Sequence, residues 1–274
     1  MPVIAVNGIR LHYEEAGSGD PVVLIQGTGG GHNAWDLHQV PDLTAAGYRV
    51  ITFDNRGIAP SSECAEGFTI DDLVGDVAGL ITRLGLGPCR VVGTSMGAFV
   101  AQELALGRPE LVSQAVLMAT RGRTDALRRA MTLAEIELYD SGVQLPARYA
   151  AAMRALKSLS PRTLDDEVKF ADWLDLFELS APPGPGQRAQ YEVSKLDDRL
   201  AAYRGIQVPC HVIAFADDLV TPPHLGREVA DAIPHATFEL VADCGHYGYL
   251  EDPATVNKSI LDFFATGTVT AARG

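Results

Sequence analysis

The sequence has little cysteine and no long hydrophobic run. Its four cysteines, Cys64, Cys89, Cys210 and Cys244, lie far apart and form no C-x-x-C pair, which argues against a disulfide framework or a zinc site. No stretch approaches the roughly 18 consecutive apolar residues of a membrane helix. The N-terminus lacks the basic start and apolar run of a signal peptide, and no H-E-x-x-H metal motif is present. We therefore expect a cytoplasmic protein that needs no metal or cofactor and does not bind membranes.

Positive charge is also scarce. The chain has 22 Lys and Arg against 35 Asp and Glu, for a net charge of −13. Such a chain repels phosphate backbones, and the absence of a Lys/Arg cluster argues further against a nucleic-acid partner. The expected partner is a small-molecule substrate, and homo-oligomerisation is left open. With 274 residues, 47% of them hydrophobic, the chain is long enough for one large core with an inserted subdomain.

Short apolar segments alternate with helical segments, which predicts an α/β fold with a mostly parallel central sheet flanked by helices. Strands are predicted at 3–6, 10–16, 21–26, 48–54, 89–95, 112–120, 208–216 and 236–242. Helices are predicted at about 35–46, 68–86, 96–108, 222–233 and 253–264. The first two strands flank Asn7-Gly8, a strong hairpin signal.

The alternation stops after the sixth predicted strand. Residues 121–205 show helical patterns and no convincing strand, with a loop at PPGPG, 182–186. We interpret residues 1–120 and 206–274 as an α/β core and residues 121–205 as a helical insert. The tail 266–274 is expected to fray.

The segment Gly93-Thr94-Ser95-Met96-Gly97 fits G-x-S-x-G. It follows an apolar strand and opens a helix, the context of a nucleophile elbow. Such a turn strains the serine backbone and lifts the hydroxyl above the sheet. Gly93 and Gly97 are needed because the residues on either side of the serine crowd one another. The motif alone also occurs by chance, but this context makes Ser95 the predicted nucleophile.

A serine hydroxyl needs a base to take its proton. Of the seven histidines, His246 is the candidate because it follows the last predicted strand, on a loop with Gly245 and Gly248. A third, acidic group must orient the imidazole. The segment FADDLVTPP after the seventh strand offers Asp217 and Asp218 at the carboxyl edge of the sheet.

An oxyanion hole requires two backbone N–H groups. One is expected from Met96, directly after the nucleophile. The other is expected from Thr28, in the Gly-rich loop that follows the third predicted strand.

Together these segments resemble the α/β-hydrolase superfamily, in particular its cap-bearing branch of esterases, lactonases and cofactor-free haloperoxidases. QGTGGGHNAW, FDNRGIAPSS, VVGTSMGAFVAQELA, FADDLVTPP and GHYGYLEDP carry the resemblance over nearly the whole chain. It implies the α/β-hydrolase fold, a helical cap at 121–205, and Asp218, four positions before Pro222, as the triad acid. It also implies that Asp54 and Arg56 form a structural loop near the site.

Two segments depart from the family pattern. Gln26-Gly27 stands where the family usually has His-Gly. The usual R-G-x-G-x-S appears as Arg56-Gly57-Ile58-Ala59-Pro60-Ser61, which suggests a stiffer loop.

The resemblance and the motif predict a bacterial serine hydrolase that cleaves an ester, thioester or lactone of a small to medium apolar substrate. A serine nucleophile argues against dehalogenation and epoxide opening, which members with an aspartate there perform. Candidate pocket residues are His32, near the oxyanion loop, and side chains of the insert that are more often core than pocket. The latter are Tyr139, Tyr149, Met153, Phe170, Trp173 and Phe177.

Three alternatives remain open at this stage. Gly27-Thr28-Gly29-Gly30-Gly31-His32 nearly matches the dinucleotide-binding G-x-G-x-x-G, but its third glycine is missing. The same triad also supports non-hydrolytic chemistry, namely perhydrolysis with halide oxidation, acyl transfer, cyclisation or lyase reactions. A catalytically silent receptor is the third possibility.

Overall fold

A computed structural model describes residues 2–180 and 182–267. Eight strands form one sheet. The strands are β1 Val3–Val6, β2 Ile9–Gly17, β3 Asp20–Ile25, β4 Tyr48–Phe53, β5 Cys89–Thr94, β6 Val112–Met118, β7 Cys210–Phe215 and β8 Ala236–Val241.

Twelve α-helices surround the sheet or lie in the insert within the described residues. They are α1 Gln39–Ala45, α2 Ile70–Arg83, α3 Met96–Gly107, α4 Ala126–Asp140, α5 Ala147–Ser158, α6 Pro161–Asp165, α7 Glu167–Glu178, α8 Pro185–Val193, α9 Leu200–Tyr203, α10 Pro223–Ala232, α11 Gly248–Glu251 and α12 Pro253–Thr266. Two 3₁₀ turns, His32–Trp35 and Pro109–Leu111, complete the set. None of the helices in residues 2–180 and 182–267 combines the length and hydropathy needed to span a bilayer.

The sheet is mostly parallel, as predicted. Its spatial order is β1-β2-β4-β3-β5-β6-β7-β8. β1 pairs antiparallel with β2, through the predicted turn at Asn7-Gly8, and β2 pairs antiparallel with β4. The remaining neighbours are all parallel. Consequently the loops that follow β3, β5, β7 and β8 reach the same edge of the sheet.

The central strands are apolar because helices cover both of their faces. Along β5, Val91 packs into the cluster that contains side chains of α2, α3 and α10, whereas its neighbour Val92 packs into the cluster of α1 and α12. All six residues of β5 are buried. This two-sided packing fixes the end of β5, and with it the position of the residue that follows.

Helices α4 to α9 lie between β6 and β7, so the predicted helical insertion after the sixth strand is confirmed. No strand occurs at residues 119–180 or 182–209, the described part of this range. The insert has a small core of its own, made by Ala151, Ala155, Leu159 and Phe177. The domain boundaries at 120/121 and 205/206 stay a prediction.

Several predicted element bounds are wrong. PPGPG is not all loop, because α8 begins at Pro185, whose fixed φ suits the first turn of a helix. The helix predicted at 35–46 is a 3₁₀ turn followed by the shorter α1. The loop predicted around His246 contains the short helix α11. Of the tail predicted to fray, residues 268–274 lie outside the described residues.

Candidate active site

Ser95 lies in a strained turn between β5 and α3. Its φ is 54° and its ψ −119°, a conformation that non-glycine residues rarely adopt. Its backbone N–H donates to the Met118 carbonyl oxygen, 3.0 Å away on the adjacent strand. A Cβ at Gly93 would overlap the carbonyl of Gly97, and a Cβ at Gly97 would overlap the carbonyl of Ile25. The expected crowding is therefore present, and it involves the end of β3 as well.

His246 lies between Ser95 and Asp218. Its Nε2 is 3.1 Å from the Ser95 Oγ, and its Nδ1 is 2.8 Å from Asp218 Oδ2. His246 and Asp218 are buried, while Ser95 is half-buried. Asp217, the other candidate acid, is held by its backbone, because its N–H donates to the Cys244 carbonyl. The structure thus brings together the three residues that the sequence analysis favoured.

The Asp218 carboxylate is held by its own turn. Oδ1 accepts hydrogen bonds from the backbone N–H groups of Val220 and Thr221, at 2.7 and 2.8 Å. Oδ2 accepts a further bond from the Thr221 hydroxyl at 2.7 Å. These donors leave Oδ2 facing the imidazole, which fixes the ring orientation.

The His246 loop is attached to the insert. Tyr247 donates its N–H to the Ser158 carbonyl at the end of α5, 3.0 Å away. Glu251 accepts from the Gly245 N–H at 2.6 Å, and from the Ser160 N–H and hydroxyl at 2.9 and 2.8 Å. A side chain at Gly245 would meet the backbone of this same segment. The position of the imidazole therefore depends on the insert as well as on β8.

The Gly-rich loop after β3 lies against Ser95. A Cβ on Gly27 would be 3.1 Å from the Ser95 Cβ. The Gly27 N–H donates to Gln26 Oε1 at 2.7 Å. The N–H groups of Thr28 and Met96 donate no hydrogen bond within the part of the chain that the structure describes. Both predicted oxyanion donors are therefore free to bind another acceptor.

Gln26 takes over the support of this loop where the family usually has histidine. Besides accepting from Gly27, its Nε2 donates to the Tyr249 hydroxyl at 3.2 Å, and its carbonyl accepts from Asn55 Nδ2 at 2.9 Å. Burial raises the pKa of Tyr249 well above its usual value, so the phenol stays protonated. Gln26 thus supports the loop through both its side chain and its backbone carbonyl.

Gln190 is a site residue that the sequence analysis missed. It lies on α8 and is fully buried. Its Oε1 accepts from the Gly29 N–H at 2.8 Å, and its Nε2 donates to the Arg56 carbonyl at 3.0 Å. The insert thereby clamps the oxyanion loop to the loop after β4. No local pattern marks a glutamine in the middle of a helix for such a role.

Asp54 anchors the same region. His12 Nδ1 lies 2.6 Å from Asp54 Oδ2, the His32 N–H donates to Oδ1 at 2.8 Å, and His32 Nδ1 lies 3.1 Å from both oxygens. His32, a predicted pocket residue, is thus half-buried against Asp54. The possible ligand atoms of His12, His32 and Asp54 lie within 4.8 Å of one another, close enough to hold a metal ion. Because His12 Nε2 also contacts Glu14 at 3.2 Å, a hydrogen-bonded network accounts for the cluster, and the prediction of no metal stays a prediction.

Arg56 joins this loop to α2. Its guanidinium donates two hydrogen bonds to Asp76, at 2.7 and 2.6 Å. Burial raises the pKa of the Asp76 carboxyl, and the Arg56 charge acts against that shift. Arg56 directly precedes Gly57, which packs against Gly186 of α8. The buried ion pair therefore fixes the part of the loop after β4 that α8 contacts.

The predicted pocket side chains of the insert lie in different places. Trp173 and Phe177 each lie 6.1 Å, centroid to centroid, from Tyr247, whose ring is 6.0 Å from that of His246. Phe177 also belongs to the core of the insert. Tyr139 is half-buried, Phe170 is half-buried against that core, and Met153 and Tyr149 are 37% and 53% exposed. Trp173 and Phe177 are thus connected to the candidate site through Tyr247.

Several known proteins are similar to this chain in sequence and fold. Residues 22–259 match the alpha/beta hydrolase family. The chain is 54% identical over 259 residues to BpoC of Mycobacterium tuberculosis strain H37Rv, which has the provisional name non-heme bromoperoxidase; the match covers 94% of this chain and 98% of BpoC. The crystal structure of BpoC superposes with a TM-score of 0.91 at 53% identity, over 94% of this chain and 97% of that one. RutD of Variovorax paradoxus strain S110, provisionally named a carbamate hydrolase, is 29% identical over 258 residues, covering 93% of this chain and 96% of RutD.

These matches confirm the predicted fold and superfamily, and they make the chain an enzyme. The structure also argues against the dinucleotide-binding alternative. The Gly-rich loop packs on Ser95, and it is followed by a 3₁₀ turn at His32–Trp35.

Proposed function

Because this chain belongs to the alpha/beta hydrolase family, we propose that it is a serine hydrolase that cleaves an ester, thioester or lactone bond through an acyl-enzyme. The observation that carries the proposal is the continuous chain of contacts from Ser95 Oγ through both nitrogens of His246 to Asp218, at 3.1 and 2.8 Å. A structural hydrogen bond would not require the strained serine backbone that accompanies it.

In the proposed mechanism, His246 Nε2 takes the Ser95 proton as the oxygen attacks the substrate carbonyl. The imidazolium then donates this proton to the leaving alcohol or thiol, and the acyl group remains on Ser95. A water molecule, deprotonated by the same nitrogen, attacks the acyl-enzyme and releases the acid. Asp218 stabilises the imidazolium in both half-reactions.

The amides of Thr28 and Met96 would bind the oxyanion in both tetrahedral intermediates. Support comes from their free N–H groups in the described chain and from the contact of Gly27 with Ser95. The dipole of α3, which begins at Met96, adds to this stabilisation. Loss of one such donor typically lowers kcat by about 10²–10³.

Residues 121–205 would serve as the cap over this site, and a small to medium substrate would place its apolar part against Trp173, Phe177 and Tyr247. These rings support the assignment because they form one cluster that reaches the His246 ring.

Hydrolysis of p-nitrophenyl esters across a chain-length series, with wild type and Ser95→Ala in parallel, tests the proposal. We expect steady turnover by the wild type and a loss of several orders of magnitude in Ser95→Ala. A fluorophosphonate should label the wild type once and the variant not at all. Failure of the wild type to hydrolyse esters or to be labelled would overturn the assignment, whereas a single burst without turnover would point to acyl transfer.

A second candidate reaction is perhydrolysis, favoured by the 54% identity to a relative provisionally named as a bromoperoxidase. Here hydrogen peroxide would replace water, giving a carboxylic peracid that oxidises bromide to hypobromite and returns the carboxylic acid. Bromination of monochlorodimedone that requires acetate, peroxide and Ser95 together would support it. Bromination that persists in Ser95→Ala would rule out this route.

A further inference from the structure

Within the described residues, the hydrogen-bond partners of Arg154, on α5, are all neutral. Its Nη2 and Nε donate to the Tyr247 hydroxyl at 3.0 and 3.3 Å, and its Nη1 donates to the Ser180 hydroxyl at 3.1 Å. The guanidinium carbon lies 4.6 Å from the centroid of Phe177 and 5.7 Å from that of Tyr247. Among the described residues, no carboxylate lies within 4.0 Å of it. In a chain with 35 acidic residues, an oriented but uncompensated guanidinium calls for an explanation.

This guanidinium lies one aromatic ring from the proposed base. Tyr247 follows His246 directly, and the two rings are 6.0 Å apart. Tyr247 also contacts Tyr249, at 6.4 Å between centroids, and Tyr249 accepts a hydrogen bond from Gln26 of the oxyanion loop. Arg154 is therefore connected through Tyr247 to His246, and through Tyr247 and Tyr249 to the loop that carries Gln26.

The neighbouring charges of the insert are also positive in sum. Arg128 on α4 and Lys157 on α5 share a single carboxylate, that of Glu135, at 3.0 and 2.9 Å. Burial raises the pKa of the Tyr191 hydroxyl to about 12, while the charges of Arg128 and Arg154 both act to lower it. The charges that act on Tyr191 are thus those of two cations, Arg128 and Arg154, and one anion, Glu135.

Tyr191 belongs to the part of the insert that covers the oxyanion loop. Its hydroxyl accepts from Gln187 Nε2 at 3.1 Å, and Gln187 occupies the space where a Cβ on Gly29 would lie. The charges of Arg128 and Arg154 therefore act on a side chain, Tyr191, that reaches the Gly-rich loop through Gln187, although the molecule as a whole has a net charge of −13.

We propose that the substrate carries a carboxylate, separated from the scissile bond by a few atoms, and that Arg154 binds it. The substrate class is then a half-ester, half-thioester or lactone of a dicarboxylic acid, or the ester of an alcohol that bears a carboxylate. This proposal rests on the serine hydrolase function proposed above. A guanidinium donates two parallel hydrogen bonds to a carboxylate, and the rings of Phe177 and Tyr247 hold its plane in place.

Matched chromogenic esters test the proposal. The neutral reference is p-nitrophenyl butyrate. The acyl-side acids are the mono-p-nitrophenyl esters of succinate, glutarate and adipate, and the alcohol-side acid is 3-carboxy-4-nitrophenyl butyrate. We expect the wild type to show a higher kcat/KM for at least one acid-bearing ester than for the neutral ester. This preference should fall as sodium chloride is added, and the preferred ester identifies the side that carries the carboxylate.

Arg154→Met should lower the acid-to-neutral ratio of kcat/KM by about 10- to 100-fold, as expected for loss of a charge-assisted hydrogen bond. Arg154→Lys should restore part of the ratio, because it keeps the charge and loses the planar fork. Arg129→Met, on the exposed face of α4, is the matched control and should leave the ratio unchanged. Near-ultraviolet circular dichroism verifies that each variant is folded.

A measurement on the wild type alone covers the case in which Arg154 variants fail to fold. Glutarate should inhibit hydrolysis of p-nitrophenyl butyrate more strongly than its neutral diamide does, and salt should weaken that inhibition. If the wild type hydrolyses the neutral ester but shows neither acid preference nor glutarate inhibition, the carboxylate proposal is wrong and the serine hydrolase stands. If it hydrolyses none of the esters and Ser95 is not labelled, both proposals fail together.

Discussion

At the scale of single residues, the site depends on a serine held in an unfavourable backbone conformation. Such a φ costs on the order of 1–3 kcal/mol. The hydrogen bond from the Ser95 N–H to Met118, together with the buried β5, holds the turn in place. The turn thus holds Ser95 Oγ at 3.1 Å from His246 Nε2.

The proposed acid of the triad, Asp218, can be tested at the same scale, because its neighbour Asp217 is also an aspartate. Asp218→Asn should lower kcat by about 10³–10⁴ with little change in KM, since an amide facing Nδ1 favours the wrong imidazole tautomer. Asp217→Asn is the control and should retain nearly full activity, because the hydrogen bonds of the His246 ring go to Ser95, Asp218 and Thr221 and not to Asp217. Steady-state hydrolysis of p-nitrophenyl butyrate measures both. A severe loss in Asp217→Asn with a mild one in Asp218→Asn would reverse the assignment.

The residues of the site divide into those that the sequence could predict and those that it could not. Ser95, His246 and the Asp217-Asp218 pair follow from local patterns: a glycine-flanked turn, and loops directly after strands. Gln190 and Arg154 show no such pattern, since their contacts, with Gly29 and Tyr247, lie 161 and 93 positions away. Their roles arise only from how α5 and α8 pack on the core, which helical periodicity does not specify.

At the scale of secondary-structure elements, the close approach of α8 to the loop after β4 is the decisive contact. Gly57 and Gly186 meet backbone to backbone, and a Cβ on either would overlap the other. This proximity places Gln190, one turn further along α8, within reach of Gly29. The sequence pattern predicted the core strands to within two residues at each end, but it placed the start of α1 four residues early. It also missed the start of α8 inside PPGPG, because three prolines and two glycines ordinarily indicate a loop.

Gly186→Ala tests this contact. Alanine favours helices over glycine by roughly 1 kcal/mol, so propensity alone predicts a more stable α8. We expect the opposite: a lower melting temperature and a kcat/KM reduced by at least about 10-fold, because α8 must shift and draw Gln190 away from the oxyanion loop.

Gly184→Ala provides the control for that substitution. It lies two residues earlier, and the nearest atom to its Cβ would be a Glu63 carboxylate oxygen at 3.8 Å, an ordinary contact. We expect near-normal activity from Gly184→Ala, with at most a small loss of stability at the start of the helix. A fully active Gly186→Ala would show that the close approach is not needed for the site.

At the scale of the whole molecule, stability is unevenly distributed. The sheet is buried between two large apolar clusters that include residues of all eight described strands and of six helices outside the insert. The fully buried hydrophobic core of the insert, by contrast, consists of Ala151, Ala155, Leu159 and Phe177. Regions with few buried apolar contacts open with a lower free energy than the global core. The insert should therefore open locally while the sheet stays folded.

Limited proteolysis measures this difference. The segment 140–150 is exposed throughout, and Val143, in the turn between α4 and α5, is 60% exposed. Exposed turns of this kind are the preferred sites of nicking, so thermolysin should cut first on the amino side of Val143, as mass spectrometry of the early fragments would show.

The nicked protein should keep its far-ultraviolet circular dichroism yet lose esterase activity. The reason is that the end of α5 holds the His246 loop by two hydrogen bonds, one from the Tyr247 N–H to Ser158 and one from the Ser160 N–H to Glu251. A first cut within residues 48–118, or a nicked protein with full activity, would contradict the view that the insert is the less stable part and that it positions the catalytic loop.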